Sequence, residues 1–533
     1  MSQNSRIIYG NQNFTLPKHG CYGRFVLEHI LNYKDKISLI NGTKGDQISF
    51  SEMAQKVVNI ASSLSQLGVK SGDMVAVCSE NRIEFLLTAI AVWCTEGIVT
   101  FINSSYSNDE MAHALKISKP KYMFLSGDVY KQKYKNMKKV NIIEKYISFD
   151  NVDTEAGVLF FKDIAQNHTD ITKFEGPDFK GETRTALILY SSGTTGPAKG
   201  AKISHTNFIV AGTRPLFTTL SKMLLTIAPW SSCMGIMTTM DEVIKGRTVV
   251  FLPRFDERLY LQTIAKHKIG ILSAPPPLLV TLCKSTIVRE YDISSVELIY
   301  SGGAPLNLSV INQLKNRYPH IKHVLQGFGM TETAGALTQE YDHAPKEGSV
   351  GQIVAGNIIK IVDVESRKLL GPNEPGEVCV KGPVLFQGYI GKKLNEDTDD
   401  EGFYKTGDIA YYDNEGYFFI VDRLKELIKY KAWQVAPSEL EALLLQHPAV
   451  KDVGVIGAPD ALAGELPTAF VVKQANVTVT EKEIIDFVAS KVSPWKRLTG
   501  GVIFLKEIPK TPSGKILRRK LRDLLPKIPL SKL

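Results

Sequence analysis

Along the chain, apolar runs of strand length alternate with amphipathic stretches of helical period. Met53, Val57, Val58, Ile60, Ala61, Leu64 and Leu67 share one face of a predicted helix. That helix is expected to start at Ser51-Glu52-Met53 and stop at Gly68, a residue suited to a left-handed C-terminal turn. Residues 73–78 read as a strand, 84–93 as a buried helix and 97–101 as a further strand. After residue 185 the pattern repeats, with strand-length runs at 185–190, 248–252, 269–273 and 298–301. Gly302-Gly303-Ala304-Pro305 follows the last run, and Gln326-Gly327-Phe328-Gly329 follows Val324-Leu325. Such alternation predicts an α/β fold with parallel strands, whose ligands bind at the carboxyl ends of the strands. The two glycine-bearing segments are therefore expected to line one pocket.

From about residue 348 to 421 the text changes to short β-like runs punctuated by Gly371-Pro372-Asn373 and Asp413-Asn414-Glu415-Gly416, which predicts a small barrel or sheet. Beyond Arg423 the pattern predicts a compact α/β unit. It comprises a helix over 438–445 with Ser438 as N-cap and Glu441 at the capping-box position, a strand at 453–457, a helix at 481–492 and a strand at 502–505.

A chain of 533 residues exceeds one ordinary domain. Its 44% hydrophobic and 22% charged content is that of a soluble globular protein. The six cysteines show no metal-ligand spacing, which points to a reduced compartment without structural disulfides. The net charge of +9 is concentrated in the tail. Residues 510–533 hold eight basic residues against one acid, Asp523, a surplus of seven that leaves two for the rest. The near-neutral body excludes an extended nucleic-acid surface. No secretory h-region is expected at the start, and no apolar run approaches the ~20 residues of a membrane span. Ser531-Lys532-Leu533 reads as a peroxisomal address for an import receptor, with a chance tripeptide as the alternative.

The candidate chemistry begins at Ser191-Ser192-Gly193-Thr194-Thr195-Gly196-Pro197-Ala198-Lys199-Gly200. Glycines free the backbone to approach an anion, hydroxyls donate further hydrogen bonds, and Lys199 adds a mobile cation. The loop is not the common P-loop, because no Gly-Lys-Ser/Thr opens a helix. Taken alone it could equally be a flexible surface turn.

Four further segments follow in order: Gln326-Gly327-Phe328-Gly329-Met330-Thr331-Glu332-Thr333, Tyr404-Lys405-Thr406-Gly407-Asp408, Val421-Asp422-Arg423-Leu424-Lys425 and Pro512-Ser513-Gly514-Lys515. Together they resemble the adenylate-forming family of acyl-CoA synthetases, coumarate-CoA ligases and beetle luciferases, from about Ile48 to the last residue. The run from Val421 to Leu533 is most similar to the beetle luciferases and their luciferase-like relatives. The resemblance implies a large N-terminal domain, residues 1–422, and a small mobile C-terminal domain, residues 423–533. The implied reaction is attack of a carboxylic acid on the α-phosphate of ATP, followed by displacement of AMP by the thiol of CoA. In-line displacement at phosphorus needs mainly positioning and charge neutralisation.

By the same resemblance, Ser191, Ser192, Gly193, Thr194, Thr195, Gly196 and Lys199 bind the nucleotide, with Thr194, Thr195 and Lys199 on the β- and γ-phosphates. Gly303, Ala304, Gln326, Gly327 and Phe328 surround the nucleotide, with Phe328 stacked on adenine. Thr331 contacts the α-phosphate, and Glu332 holds Mg²⁺, a hard cation that prefers oxygen. The bland alternatives are a helix N-terminus for Thr331 and Glu332, core filling for Phe328 and a turn for Asp408. Asp408 would accept both ribose hydroxyls. Arg423 and Lys425 would assist at ribose or phosphate, and Lys515 would neutralise the phosphorus under attack. Lys429, Lys431 and Ala432 would serve CoA.

Two departures bear on the activity. Relatives place proline directly before the loop lysine, whereas this chain has Pro197-Ala198; they carry glycine where Ala432 stands. Around the implied acyl pocket, Ser231, Ser232, Cys233, Gly302 and Gly335 are small, and no histidine occurs between His205 and His267. Efficient light emission needs a proton removed beside the adenylated carbonyl, so lack of a histidine argues against it. The expected function is an acyl- or aryl-CoA ligase. A luciferin monooxygenase and a non-catalytic nucleotide-binding relative remain as alternatives.

Overall fold

The computed structural model describes residues 6–13, 20–191, 198–215, 217–219, 221–304, 306, 308–431, 433–460, 462–511 and 514–525. They form four sheets. In the seven-stranded sheet the order is Lys199–Ser204, Thr185–Ser191, Ile98–Phe101, Met74–Cys78, Tyr122–Leu125, Lys145–Ser148 and Leu159–Phe160. Only its first pair is antiparallel. The nine-stranded sheet has a parallel centre running from His323–Met330 through Leu298–Gly302, Ile271–Ser273, Met223–Thr226 and Thr248–Phe251 to Ile37–Asn41. Helices cover both sheets, so their strands read as continuous Val, Ile and Leu.

The two sheets share one core. Tyr22 stacks on Phe208 at 4.6 Å, and Trp93, fully buried beside them, donates its indole N–H to the Ala186 carbonyl at 2.9 Å. Asn81 fixes the approach to a site element. Its amide donates to the Ala228 carbonyl at 3.0 Å and accepts from the Trp230 N–H at 2.8 Å. That clamp sets the start of the helix Cys233–Ile244.

The β-rich segment is an open antiparallel sheet: Ile358–Val362, Gly376–Lys381, Tyr404–Tyr412 and Phe418–Arg423, with Ile7–Tyr9 at its edge. The N-terminal strand was not legible because three residues carry no periodicity. The fourth sheet pairs Val450–Asp460 with Gly464–Lys473, flanked by Ile428–Tyr430, Trp433–Val435 and Val502–Leu505. It has its own core around Ile428, Leu440, Val455 and Ile484.

Several expected boundaries move for identifiable reasons. The helix expected at Ser51 is Phe50–Gln66, because Ser49 closes a reciprocal capping box with Glu52. The helix expected over 438–445 is Pro437–Leu444, with proline at its first turn and Ala436 at the N-cap. Ser438 therefore does not cap: its hydroxyl donates to Asp422 Oδ2 at 2.9 Å. Glu441 does not complete a capping box; it accepts from the Val455 N–H at 2.7 Å and binds Arg518. The helix expected over 481–492 ends at Ala489. Gln326 to Gly329 lie inside the strand His323–Met330 instead of a loop, because both edges of that strand are paired. Gly329 permits this, since a Cβ there would lie 1.9 Å from the Gly335 carbonyl.

Arg518 ties the tail of the chain to the segment after Arg423. Its Nε lies 2.9 Å from Glu426, its Nη1 and Nη2 hold Glu441, and Nη1 donates to the Val455 carbonyl at 3.1 Å. Burial pushes the Glu441 carboxyl upward, and the arginine pulls it back. Removing one member of a buried pair costs about 3–5 kcal/mol. Arg518→Met is expected to lower the unfolding free energy obtained from a urea titration followed by circular dichroism by about that much; an unchanged value would show that the arginine is replaceable.

Candidate active site

Asp408 and Arg423 face each other across the antiparallel pair Tyr404–Tyr412 and Phe418–Arg423. Arg423 Nε donates to Asp408 Oδ1 at 2.9 Å. The Asp408 side chain is only 5% exposed, and its Oδ2 is buried with no hydrogen-bond partner among the described residues. Thr406 fixes the turn by accepting from the Asp408 N–H at 3.0 Å and donating to the Val378 carbonyl at 2.9 Å. Burial pushes the Asp408 carboxyl above the ordinary carboxylate range, while Arg423 and Lys515 oppose the rise.

Lys515 reaches this pair from the far end of the sequence. Its carbonyl accepts from the Thr511 N–H at 2.8 Å, and its own N–H donates to Thr511 Oγ1 at 3.1 Å. Gly514 takes φ +84°, and a Cβ there would lie 2.8 Å from Pro277. The turn thus needs glycine to sit against the helix Pro276–Lys284. Nearby, Lys284 donates to the Val450 carbonyl at 2.9 Å, a second tie between the C-terminal sheet and that helix. Burial and Arg423 push the Lys515 ammonium below the ordinary lysine value, while Asp408, Glu332 and Glu426 pull it back up.

Thr331 and Glu332 lie on a single 3-10 turn, Thr331–Thr333, so no α-helix starts there. Glu332 is buried, and its Oε1 accepts from the Tyr389 hydroxyl at 2.6 Å. The Lys199 ammonium sits 4.9 Å from the centre of the same tyrosine ring. Ser191 and Tyr404 also reach the phenol, which burial and Glu332 push well above its ordinary value. Tyr389 thereby connects the base of the hydroxyl-rich loop to Glu332. Sequence reasoning missed it, because one aromatic within the β-rich segment carries no local signal. His113 supports the same loop base, donating from Nε2 to the Ala198 carbonyl at 2.9 Å.

A cleft of about 1400 Å³ brings together Gly303, Ala304, Gln326, Gly327, Phe328, Asp408, Arg423, Lys425 and Lys515. Within it the Gln326 amide is committed to the Ser349 carbonyl at 2.9 Å, a structural role. Gly302 and Gly327 are register partners on neighbouring strands. Gly303 faces Met234 and Gly335 faces Met237, each 3.6 Å from an added Cβ, which sets both glycines beside the helix Cys233–Ile244.

The small residues at the start of that helix do not all leave open space. Ser232 is its N-cap, accepting from the Gly235 N–H at 3.2 Å and donating to the Pro229 carbonyl at 2.7 Å. Ser231 is partly exposed. The Cys233 thiol is pushed up to about 12 by burial and by Glu332, so it is neutral near pH 7.

Lys429 and Lys431 are not brought to the cleft. They lie on the C-terminal sheet, where their N–H groups donate to Glu465 Oε2 at 2.8 Å and to the Ala463 carbonyl at 2.6 Å. Ser192, Gly193, Thr194, Thr195, Gly196, Ala432 and Ser531-Lys532-Leu533 lie outside the described residues. No cluster of three or more His, Cys, Asp or Glu placed to hold a metal ion, and no helix long and apolar enough to cross a membrane, occurs among the described residues.

Residues 27–390 match the AMP-binding enzyme family, and residues 439–515 match the AMP-binding enzyme C-terminal domain. The likeness therefore begins N-terminal to Ile48, where the motifs alone start to trace it. The chain is 37% identical over 545 residues to the luciferin 4-monooxygenase of Photuris pensylvanica, covering 98% of this chain and 99% of that protein. It is 35% identical over 522 residues to the probable 4-coumarate–CoA ligase 2 of Dictyostelium discoideum, covering 94% of each. ATP-bound MatB from Rhodopseudomonas palustris superposes with a TM-score of 0.84 at 26% identity, over 96% of this chain and 99% of that one. The chain belongs to the adenylate-forming, AMP-binding enzyme family, with its mixed α/β fold of a large N-terminal and a smaller C-terminal domain.

The shared field of Asp408 and Lys515 has a measurable consequence. Asp408→Asn removes one of the charges that hold the Lys515 ammonium up, so its titration is expected to move to lower pH. Competitive acetylation of Lys515 read by mass spectrometry would show this, and an unchanged midpoint would separate the two residues.

Proposed function

We propose that this protein activates a carboxylic acid with ATP and then transfers the acyl group to CoA. The observation that carries the reading is the buried Asp408 Oδ2, beside Arg423 and Lys515 and without a hydrogen-bond partner among the described residues. A buried acceptor without a donor is costly, and the two hydroxyls of a ribose are suited to supply donors. With ribose there, Phe328 and the glycines of the cleft flank the base, and Lys515 is directed at the α-phosphate.

In the first step a carboxylate oxygen attacks the α-phosphorus, and the bond to the bridging oxygen breaks so that pyrophosphate leaves. Lys515 and Thr331 stabilise the charge that builds on the phosphoryl oxygens. Lys199, anchored over Tyr389, and the loop Ser191-Ser192-Gly193-Thr194-Thr195-Gly196 hold the departing phosphates. Mg²⁺ is held largely by phosphate oxygens and needs only one or two protein carboxylates, a requirement that Glu332, oriented by Tyr389, fits. Bound there, the ion would screen the phosphate charges. In the second step the CoA sulfur attacks the acyl carbon, and the carbon–oxygen bond to AMP breaks.

We place the domain boundary at residues 422–423. Movement of the C-terminal domain about this linker, near Lys425, would withdraw Lys515 and present Lys429, Lys431 and Ala432. Their distance from the cleft supports a separate role in thioester formation. The 37% identity to a luciferin 4-monooxygenase favours light emission as a second reading. Against it stands the neutral Cys233 at the helix start, with no histidine between His205 and His267 to take a proton.

A panel of carboxylic acids scored for AMP release, with and without CoA, tests the main reading: CoA-stimulated release supports it, and no release with any acid contradicts it. Photon counting with luciferin and ATP tests the second. Lys515→Ala is expected to slow adenylation by about 10²–10³-fold while leaving thioester formation from supplied acyl-adenylate at the original rate. Equal loss of both half-reactions would remove Lys515 from its role.

A further inference from the structure

The helix Pro276–Lys284 meets the smaller domain at both of its ends. At its first turn Pro277 lies against Gly514, where a Cβ would come within 2.8 Å. At its last residue the Lys284 ammonium donates to the Val450 carbonyl at 2.9 Å. From Pro277 to Lys284 the helix rises about 10 Å, so the two contacts resist a rotation that either alone would allow. The last turn is also fixed to the large domain. The Tyr318 hydroxyl donates to the Leu282 carbonyl at 2.8 Å, and Arg317 donates to the carbonyls of Cys283 and Ser285. These donors meet carbonyls that a helix end leaves free, and Lys284 reaches outward from a fixed base.

The strand that receives Lys284, Val450–Asp460, is irregular at the contact. Val450 pairs with Lys473 and Asp452 with Val472, so Lys451 is left over as a bulge. Just past the bulge, Lys510 holds both oxygens of Asp452, at 2.8 and 2.7 Å, and the same carboxylate acts on the Lys284 charge. Two lysines, one from each domain, thus share the field of one aspartate. Lys510 is bridged in turn to Ile516, and the Thr511 N–H donates to the Lys515 carbonyl at 2.8 Å. A continuous connection therefore runs from Lys284 through Val450, Asp452 and Lys510 to Lys515.

We propose that Lys284 is a positioning residue for the first half-reaction: it holds the C-terminal sheet in the arrangement that brings Lys515 to Asp408. The inference rests on the acid-activating reading above and deepens it, because Lys284 belongs to none of the motifs from which that reading started. Lys284 touches no reacting atom and acts only through Lys515. It therefore matters to attack at phosphorus and not to thioester formation, which in that reading uses the other arrangement of the two domains.

Lys284→Met keeps the length of the side chain and removes the donor. One intramolecular hydrogen bond shifts such an equilibrium by about 3- to 10-fold. Labelling of Lys515 by acetic anhydride, read by mass spectrometry on the full chain without substrate, is expected to speed up by that factor in the variant. An unchanged labelling rate would overturn the proposal. Carboxylate-dependent exchange of pyrophosphate into ATP is expected to slow by the same factor, while thioester formation from supplied acyl-adenylate keeps its rate and so reports that the variant is folded. Equal loss of both half-reactions would overturn the proposal. In a Lys515→Ala background Lys284→Met is expected to slow exchange no further, and a second loss of that size would show that Lys284 acts independently of Lys515 and overturn it. Absence of exchange with every acid in the original chain would instead overturn the activating reading, and the labelling rate would still decide whether Lys284 holds Lys515.

Discussion

The site depends on a charge cluster assembled from distant parts of the sequence. Asp408, Arg423, Glu332 and Lys515 act on one another in a setting where burial disfavours the ionised forms of Asp408 and Lys515. The aspartate and lysine are tolerable there because each offsets the other. Arg423 holds one aspartate oxygen, and the second has no donor among the described residues. Such an arrangement is incomplete as a structural ion pair and well suited to a polar ligand.

The architecture brings these charges together by simple means. Asp408 and Arg423 are opposite residues of one antiparallel pair, so their contact follows from register. Lys515 depends on a longer chain of conditions. Its turn must close against Pro277, the Arg518 pairs must hold the tail to Glu426 and Glu441, and the C-terminal sheet must stay docked through Lys284. The hydrogen bond from Ser438 to Asp422 spans the same junction. An apolar cluster of Ile409, Leu427 and Ala436 lies across the same junction, so its ties are both polar and apolar.

Much of the fold was legible because the central strands and helices are long runs of apolar residues at clear periods. What escaped was decided by partners distant in sequence. The segment Gln326 to Gly329 looked like a glycine-rich loop, yet pairing on both edges makes it strand. Ser438 and Glu441 had the spacing of a capping box, but Asp422 and Arg518 compete for them. Asp408, Arg423 and Lys515 could be selected because their motifs occur together and in order. Tyr389 could not, since a lone aromatic acquires meaning only from what packs against it.

The most direct measurement is a crystal structure of the full chain with its acyl-adenylate bound. Both ribose hydroxyls are expected on the Asp408 carboxylate and the Lys515 ammonium within hydrogen-bonding distance of the phosphate, with Gly514 still against Pro277. An adenylate bound away from Asp408, or a phosphate that Lys515 does not reach while that turn remains docked, would contradict it.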